Sequence, residues 1–164
     1  MRRMLRFLAL VSVCACSAHQ RATSTDTAAN IVSAVTLVRG ACFGTCAQYS
    51  LTVSSNGDVV FVGFAYVRTR GLARAHISPT AARALIARFT EANFVDMWEQ
   101  YLAGQTSCGL YATDAPIVEL SLVTPTLYKK VVHDYGCSSA PSVLRELQAA
   151  VDATGESSRW LPAR

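Results

Sequence analysis

The sequence predicts an α+β domain in which antiparallel β-strands carry two amphipathic helices on one face of the sheet. Segments with the alternating pattern of strands come in pairs separated by turn residues, and each pair is followed by a helical segment. The order hairpin–helix therefore occurs twice, with two hairpins and about four to six strands in all. Antiparallel strands with their helices collected on one face are typical of the α+β class.

The first half of the domain contains the first hairpin and the first helix. Strand-like segments cover residues 34–39, 48–54, 59–64 and 72–77. Asn56-Gly57 lies between the second and third of these, and this dipeptide is the strongest short signal for a β-hairpin. Ser78-Pro79 then predicts a helix start, since serine caps helices and proline favours their first position.

The first helix is predicted to bury the side chains that recur at helical spacing between Ala82 and Phe89. Phe94 and Trp98 follow it, and we expect both to add aromatic mass beneath the helix. A looser segment over residues 102–114, rich in Gly, Ser and Thr, separates this half from the next.

The second half repeats the pattern. Strands are predicted over residues 117–123 and 127–133, with a turn at Thr124-Pro125-Thr126 between them. Pro141 opens a second helix, whose residues Leu144, Leu147 and Val151 recur at helical spacing.

The N-terminus has the layout of an export signal. Three arginines precede an apolar run over residues 7–15, which is too short to span a bilayer because a spanning helix needs roughly 20 residues. Val13-Cys14-Ala15-Cys16 resembles a bacterial lipobox, which implies cleavage after Ala15 and a lipid on Cys16. The alternative is an ordinary secretory signal that releases a soluble protein.

These observations divide the chain into a signal peptide (1–15), a lipid anchor with a flexible tether (16–30) and one folded domain (31–160). The expected location is the bacterial cell envelope, facing the periplasm. Ser17 favours the outer membrane, because an aspartate at that place resembles an inner-membrane retention mark.

The charge composition argues against nucleic-acid binding. Lys and Arg number 15 against 11 Asp and Glu, and three of the arginines lie in the predicted signal peptide. Nucleic-acid binding needs a clustered basic face and a high domain pI. Arg68, Arg70 and Arg74 alternate along the chain. Such a row can meet an anionic surface, but it is also typical of a solvated edge that discourages strand pairing.

Four cysteines remain in the folded domain, and an even set in an exported protein favours disulfides. We expect Cys42–Cys46 and Cys108–Cys137, because Gly44 allows the first pair to close a small ring. Loop entropy assigns about 2 kcal/mol to the short loop and about 3.6 kcal/mol to the long one. A zinc site and a redox pair are the alternatives. Zinc sites usually have two C-x₂₋₄-C pairs, and here only Cys42 and Cys46 are close in sequence. A redox pair usually has C-x-x-C spacing near a βαβ pattern, and this pair has one more residue and a hairpin context.

The segment from Arg39 to Tyr49 resembles a bacterial envelope family of unknown function. The family signature runs Arg-x-x-Cys-Phe-Gly-x-Cys-Pro-x-Tyr and is followed by a hairpin with a central glycine. This chain has Ala47 where the signature has proline. Similarity continues through later blocks as far as Asp152. The resemblance implies the extent of the domain and a lipoprotein setting, and it implies no activity, cofactor or partner.

Catalytic motifs are absent from the sequence, which has no G-x-S-x-G, H-E-x-x-H, P-loop or G-x-G-x-x-G. Asp114 and His133 are candidates for a weak polar site, with a turn-capping aspartate and an ordinary strand histidine as the alternative. We expect no metal or cofactor.

Three functions remain open on the sequence. The favoured one is a non-enzymatic interaction or binding module, held on the membrane by its lipid and able to contact an envelope protein. The alternatives are a small enzyme that uses the His133/Asp114 region and a thiol oxidoreductase that uses Cys42/Cys46.

Overall fold

The computed structural model describes residues 32–163. The predicted signal peptide, the lipid-attachment residue Cys16 and nearly all of the tether lie outside the described residues. The strands of the described part are β1 (Ala34–Arg39), β2 (Gln48–Ser54), β3 (Asp58–Ala65), β4 (Gly71–His76), β5 (Gln100–Tyr101), β6 (Ile117–Val123) and β7 (Tyr128–Asp134). The helices are α1 (Pro79–Glu91) and α2 (Ser142–Thr154), with short 3-10 turns at Phe94–Asp96 and Ser157–Trp160.

All seven strands belong to one mixed sheet in the order β4-β3-β2-β1-β6-β7-β5. Neighbouring strands are antiparallel except β5, which pairs in parallel with β7. The α+β class is confirmed, but the prediction of four to six strands in two hairpins does not match. Strand β1 hydrogen-bonds to β2 and β6 and so joins the two hairpins into one sheet. Strand β5 has two residues, too few to show a period of two.

The core lies between the sheet and the two helices. On the sheet it is built from the side chains of every second residue, which are Val35, Leu37, Leu51, Val53, Val59, Phe61, Val118, Leu120, Leu122 and Val131. The helices contribute Ala82, Leu85, Phe89, Leu144, Leu147 and Val151. The core cluster runs from Val35 to Trp160. A form of the chain that begins at Ser17 therefore retains all of it. The opposite side of the sheet is here called the open face.

The first helix begins as predicted. Ser78 Oγ accepts a hydrogen bond from the Thr80 backbone N–H at 3.3 Å, and Pro79 occupies the first helical position. At the second helix, Pro141 is the capping residue and the helix runs from Ser142.

The two aromatic residues expected beneath α1 have different environments. Phe94 is buried and meets Phe89 edge-on, with 5.0 Å between ring centroids. Trp98 is 68% exposed, so the prediction for it is wrong. The backbone becomes extended at Met97, and the Met97 side chain packs against the core in its place.

The four domain cysteines pair as expected, Cys42 with Cys46 and Cys108 with Cys137. The second disulfide is buried and ties the 102–114 segment to the end of β7. Within residues 32–163, no cluster of three or more His, Cys, Asp or Glu is arranged to hold a metal ion. No helix in the same part of the chain has the length and hydropathy needed to cross a membrane.

Candidate functional site

A cavity of about 700 Å³ lies where the ends of β1, β2 and β6 meet the C-terminal end of α2. Its polar wall is formed by Arg39, Tyr49, Tyr135, Asp152, Ser157 and Ser158. The other lining side chains are mostly small or apolar and include Cys46, Ala47, Pro116, Val118, Leu161 and Pro162. The cavity is therefore an apolar space with one concentrated polar wall.

The strand pattern explains why a charged residue lies here. Every second side chain of β1 faces the helices, so Arg39 follows Val35 and Leu37 on that side. Tyr49 stands directly opposite Arg39 on β2, in the antiparallel register. Asp152 reaches the pair from the last turn of α2.

Arg39, Asp152 and Tyr49 form a closed triangle of hydrogen bonds. Arg39 donates to Asp152 Oδ2 from Nη2 at 2.6 Å and from Nε at 2.9 Å. The Tyr49 hydroxyl donates to Asp152 Oδ1 at 2.6 Å and accepts from Arg39 Nε at 3.0 Å. Both carboxylate oxygens are thus engaged. Bonds between charged groups in this geometry are about twice as strong as neutral ones.

A second row of polar groups extends from the triangle into the core. Arg39 Nη1 donates to the Tyr135 hydroxyl at 3.3 Å, and that hydroxyl donates to Gln148 Oε1 at 2.7 Å. Gln148 Nε2 lies 3.4 Å from His133 Nδ1 and donates to it when that ring nitrogen is unprotonated. The row ends at His133 Nε2, which has no hydrogen-bond partner among the described residues.

Two members of the triangle, Arg39 and Tyr49, each keep one protonation state at neutral pH. Burial lowers the pKa of Arg39, but the negative charge of Asp152 and the two tyrosine hydroxyls outweigh burial and raise the pKa overall. Burial, together with the charge of Asp152, raises the pKa of Tyr49. Arg39 therefore stays charged and Tyr49 stays protonated. Arg39 and Tyr49 can therefore offer fixed hydrogen bonds, and neither is suited to exchange a proton near neutral pH.

His133 is held neutral. Its side chain is fully buried, and burial together with the nearby charge of Arg145 lowers its pKa from 6.5 to about 4. Asp134 and the bond to Gln148 act in the opposite direction, and their effect is smaller. Arg145 itself stacks on Tyr135, with its guanidinium carbon 4.4 Å from the ring centroid.

The two residues predicted for a polar site have different environments. Asp114 is exposed, has a left-handed backbone conformation and accepts a bond from Thr113 Oγ1 at 3.2 Å. His133 is inside the core against Gln148. No hydrogen bond joins Asp114 to His133 in the part of the chain that the structure describes.

Sequence reasoning missed Arg39, Tyr135, Gln148 and Asp152 as members of one cluster. Two signals for them were present in the sequence of α2. Gln148 interrupts the apolar face between Leu147 and Val151, and a buried polar residue needs partners. Asp152 lies in the last turn of a helix, where the helix dipole disfavours a carboxylate, so a nearby cation is expected.

A family model described as a domain of unknown function, DUF6438, matches residues 33–155. The match covers most of the chain, so the chain belongs to this family. The expected membership of a family of unknown function is thereby confirmed. No curated protein matches the chain.

The first prediction concerns Asp152. Asp152→Asn leaves the charge of Arg39 without a counter-charge in a mostly buried position, and we expect a loss of about 2–3 kcal/mol in the free energy of unfolding. Urea denaturation of the form beginning at Ser17 measures it. Glu119→Gln is the control, because it opens an exposed ion pair with Lys130 and such pairs contribute about 0–1 kcal/mol. Equal losses would show that the triangle does not stabilise the fold.

The second prediction concerns pH. The unfolded chain protonates His133 near pH 6.5 and the folded chain does so only near pH 4. The unfolded state therefore binds more protons between these values, and stability falls as the pH drops from 6.5 to 4. The contribution of His133 is roughly 3 kcal/mol. Below pH 4 His133 is protonated in both states, so it causes no further loss of stability.

The variant His133→Phe should remove this part of the pH dependence, as measured by urea denaturation at several pH values between 7 and 4. His76→Gln, at an exposed histidine, should keep it. An unchanged slope in His133→Phe would contradict the assignment.

Proposed function

We propose that this member of the DUF6438 family is a non-enzymatic binding module, held at the periplasmic face of a bacterial membrane by a lipid on Cys16. Its ligand binds in the cavity beside Arg39. The cavity volume and composition carry the proposal. Ligand sites are typically about 300–1,000 Å³, mostly apolar, with a few convergent polar groups.

The polar wall supports binding because it is organised before any ligand arrives. Arg39 has five N–H groups, and those on Nε, one on Nη1 and one on Nη2 already have partners. Two N–H groups are left without a partner among the described residues. A side chain held by Asp152, Tyr49 and Tyr135 loses little freedom when a ligand accepts those bonds, which favours affinity.

The environments of His133, Asp114 and the Cys42–Cys46 pair give little support to the enzymatic alternatives. An acid–base site made of His133 and Asp114 needs the two side chains within hydrogen-bond reach in one cleft, but His133 is buried against Gln148 and the exposed Asp114 bonds to Thr113. A redox role for Cys42–Cys46 lacks the usual C-x-x-C spacing and βαβ setting. Binding is therefore the function that the site supports best.

The tether predicted over residues 16–30 sets how far the domain can be from the membrane. Fifteen residues of a flexible chain give a root-mean-square length of about 20 Å. Two or more acyl chains hold a protein on a bilayer stably, whereas one does so only marginally. The module would therefore work within a short distance of the lipid headgroups.

The third prediction tests the cavity. Ala47→Trp places a large side chain in the cavity and leaves the residues of the Arg39 triangle unchanged, and Ala103→Trp adds the same side chain at an exposed turn. Benzoate, benzamide and N-acetylglucosamine serve as probes at millimolar concentration. We expect at least one of them to shift the amide NMR signals of Gly40, Val118 and Ser158 in the unmodified chain and in Ala103→Trp.

These shifts should be absent in Ala47→Trp. Shifts that persist in Ala47→Trp, or the absence of any shift with all three probes, would count against a ligand site in this cavity.

The fourth prediction tests the anchor. Cells that express the full chain and are fed labelled palmitate should label it, and Cys16→Ala should abolish the label because the thiol of Cys16 is the acceptor. Cys14→Ala is the matched control and should keep the label. A Cys16→Ala chain that still takes up label would end the lipoprotein proposal.

A further inference from the structure

A patch of exposed apolar and basic side chains covers the hairpin formed by β3 and β4, at the edge of the sheet. It consists of Phe64, Tyr66, Leu72, Arg68, Arg70 and Arg74, and is here called the β3–β4 patch. All six side chains are exposed. Leu72 is 60% exposed, and Phe64 and Tyr66 are each about half exposed. The Arg39 cavity does not include any of them.

The strand register places Leu72 on the open face, and Phe64 and Tyr66 lie at the end of β3 and just beyond it. Leu72 stands opposite Val62, and Phe64 follows two residues later in β3, where the register against β2 shifts by one residue and the side chain is exposed. Arg74 stands opposite Val60 and thus lies next to Leu72 on this face. Val62 and Leu72 therefore form an apolar pair on the open face with a guanidinium beside them, and the exposed Phe64 follows along β3.

The turn between β3 and β4 is fixed by backbone hydrogen bonds. The N–H groups of Arg68 and Thr69 donate to the carbonyl oxygen of Trp160 at 2.9 and 3.1 Å. Trp160 is itself stacked on Phe61 in the core, with 4.8 Å between ring centroids. The turn that carries Arg68 and Arg70 is thus attached to the core, so its conformation does not depend on a binding partner.

The charge of the patch is positive. Arg68, Arg70 and Arg74 take part in none of the ion pairs found among residues 32–163. The acidic residue of this hairpin is Asp58, which lies 3.1 Å from His76. Hydrogen bonds from His76 and Asn56 lower its pKa, and the charge of Arg74 adds to this effect. The patch therefore has a net positive charge: Arg68 and Arg70 have no ion-pair partner among the described residues, and the charge of Arg74 is partly offset by Asp58.

We propose that the β3–β4 patch docks the domain on an anionic phospholipid surface. Interfacial binding needs apolar side chains that enter the headgroup region and basic side chains that meet lipid phosphates, and the patch presents both. The inference rests on the membrane tether of the proposed function, because a short tether keeps the patch at a high local concentration near the bilayer. Docking fixes which side of the domain faces the membrane.

The experiment uses the form of the chain that begins at Ser17, which lacks both the basic N-terminus and Cys16. Sedimentation with vesicles of phosphatidylethanolamine and phosphatidylglycerol, at millimolar lipid and low salt, measures partitioning. Phosphatidylcholine vesicles are the neutral comparison. We expect binding to the anionic vesicles that weakens with added salt, and at least tenfold weaker binding to the neutral ones.

Two matched pairs of variants assign the binding to the patch. Arg68→Gln/Arg70→Gln should lower partitioning at least tenfold, since each basic residue near an anionic surface contributes about fivefold. The control Arg83→Gln/Arg88→Gln removes equal charge from exposed positions of α1 and should change it little. Phe64→Ser should also lower partitioning, whereas Phe43→Ser, at a more exposed phenylalanine, should not.

Three results would overturn the proposal: no sedimentation with anionic vesicles, equal losses in the patch and control variants, or a dimer that depends on Leu72. The last result would assign the patch to a second copy of the chain. Because this form lacks Cys16, a failure of lipid labelling would leave the vesicle result unaffected. The two proposals can therefore fail independently.

Discussion

The pairing of Arg39 with Asp152 is the interaction on which the site depends. The alternation of β1 places a charged side chain at the end of its core-facing row, beneath α2. A cation in that position is costly to bury unless it is paired and hydrogen-bonded. Asp152 meets this need with two bonds to the guanidinium, and Tyr49 occupies its second oxygen. The pair thus ties the C-terminal end of α2 to the first two strands.

The polar row that starts at Arg39 shows how one buried charge organises its surroundings. Tyr135 and Gln148 continue the chain of hydrogen bonds from Arg39 to His133, which remains neutral because it is buried. A network of this kind is stable when its members are satisfied, and two of the satisfied members, Arg39 and Tyr135, line the cavity. The orphaned Nε2 of His133 lies at the far end, inside the core. Hydrogen bonds therefore hold the polar wall in one arrangement, which is the preorganisation that the proposed ligand binding relies on.

The cavity and the β3–β4 patch both contain arginine, but the positive charge has a different environment in each. At the cavity, the positive charge is neutralised by Asp152, so the wall offers directed hydrogen bonds more than net charge. At the patch, none of the three arginines forms an ion pair within the described part, and the net charge is positive. A lipid on Cys16 would bring the β3–β4 patch close to a membrane, and the cavity would remain available for a ligand.

The sequence alone determined the features that are local along the chain. Alternation and helical spacing predicted most of the strands and both helices, and the spacing of the cysteines predicted their pairing. The tertiary structure decided the place of β1 between the two hairpins and the parallel contact of β5, which has only two residues. It also brought Arg39 to Asp152, 113 residues further along the chain. A period in the sequence shows which face a side chain occupies, but only the packing of elements shows which distant side chain it meets.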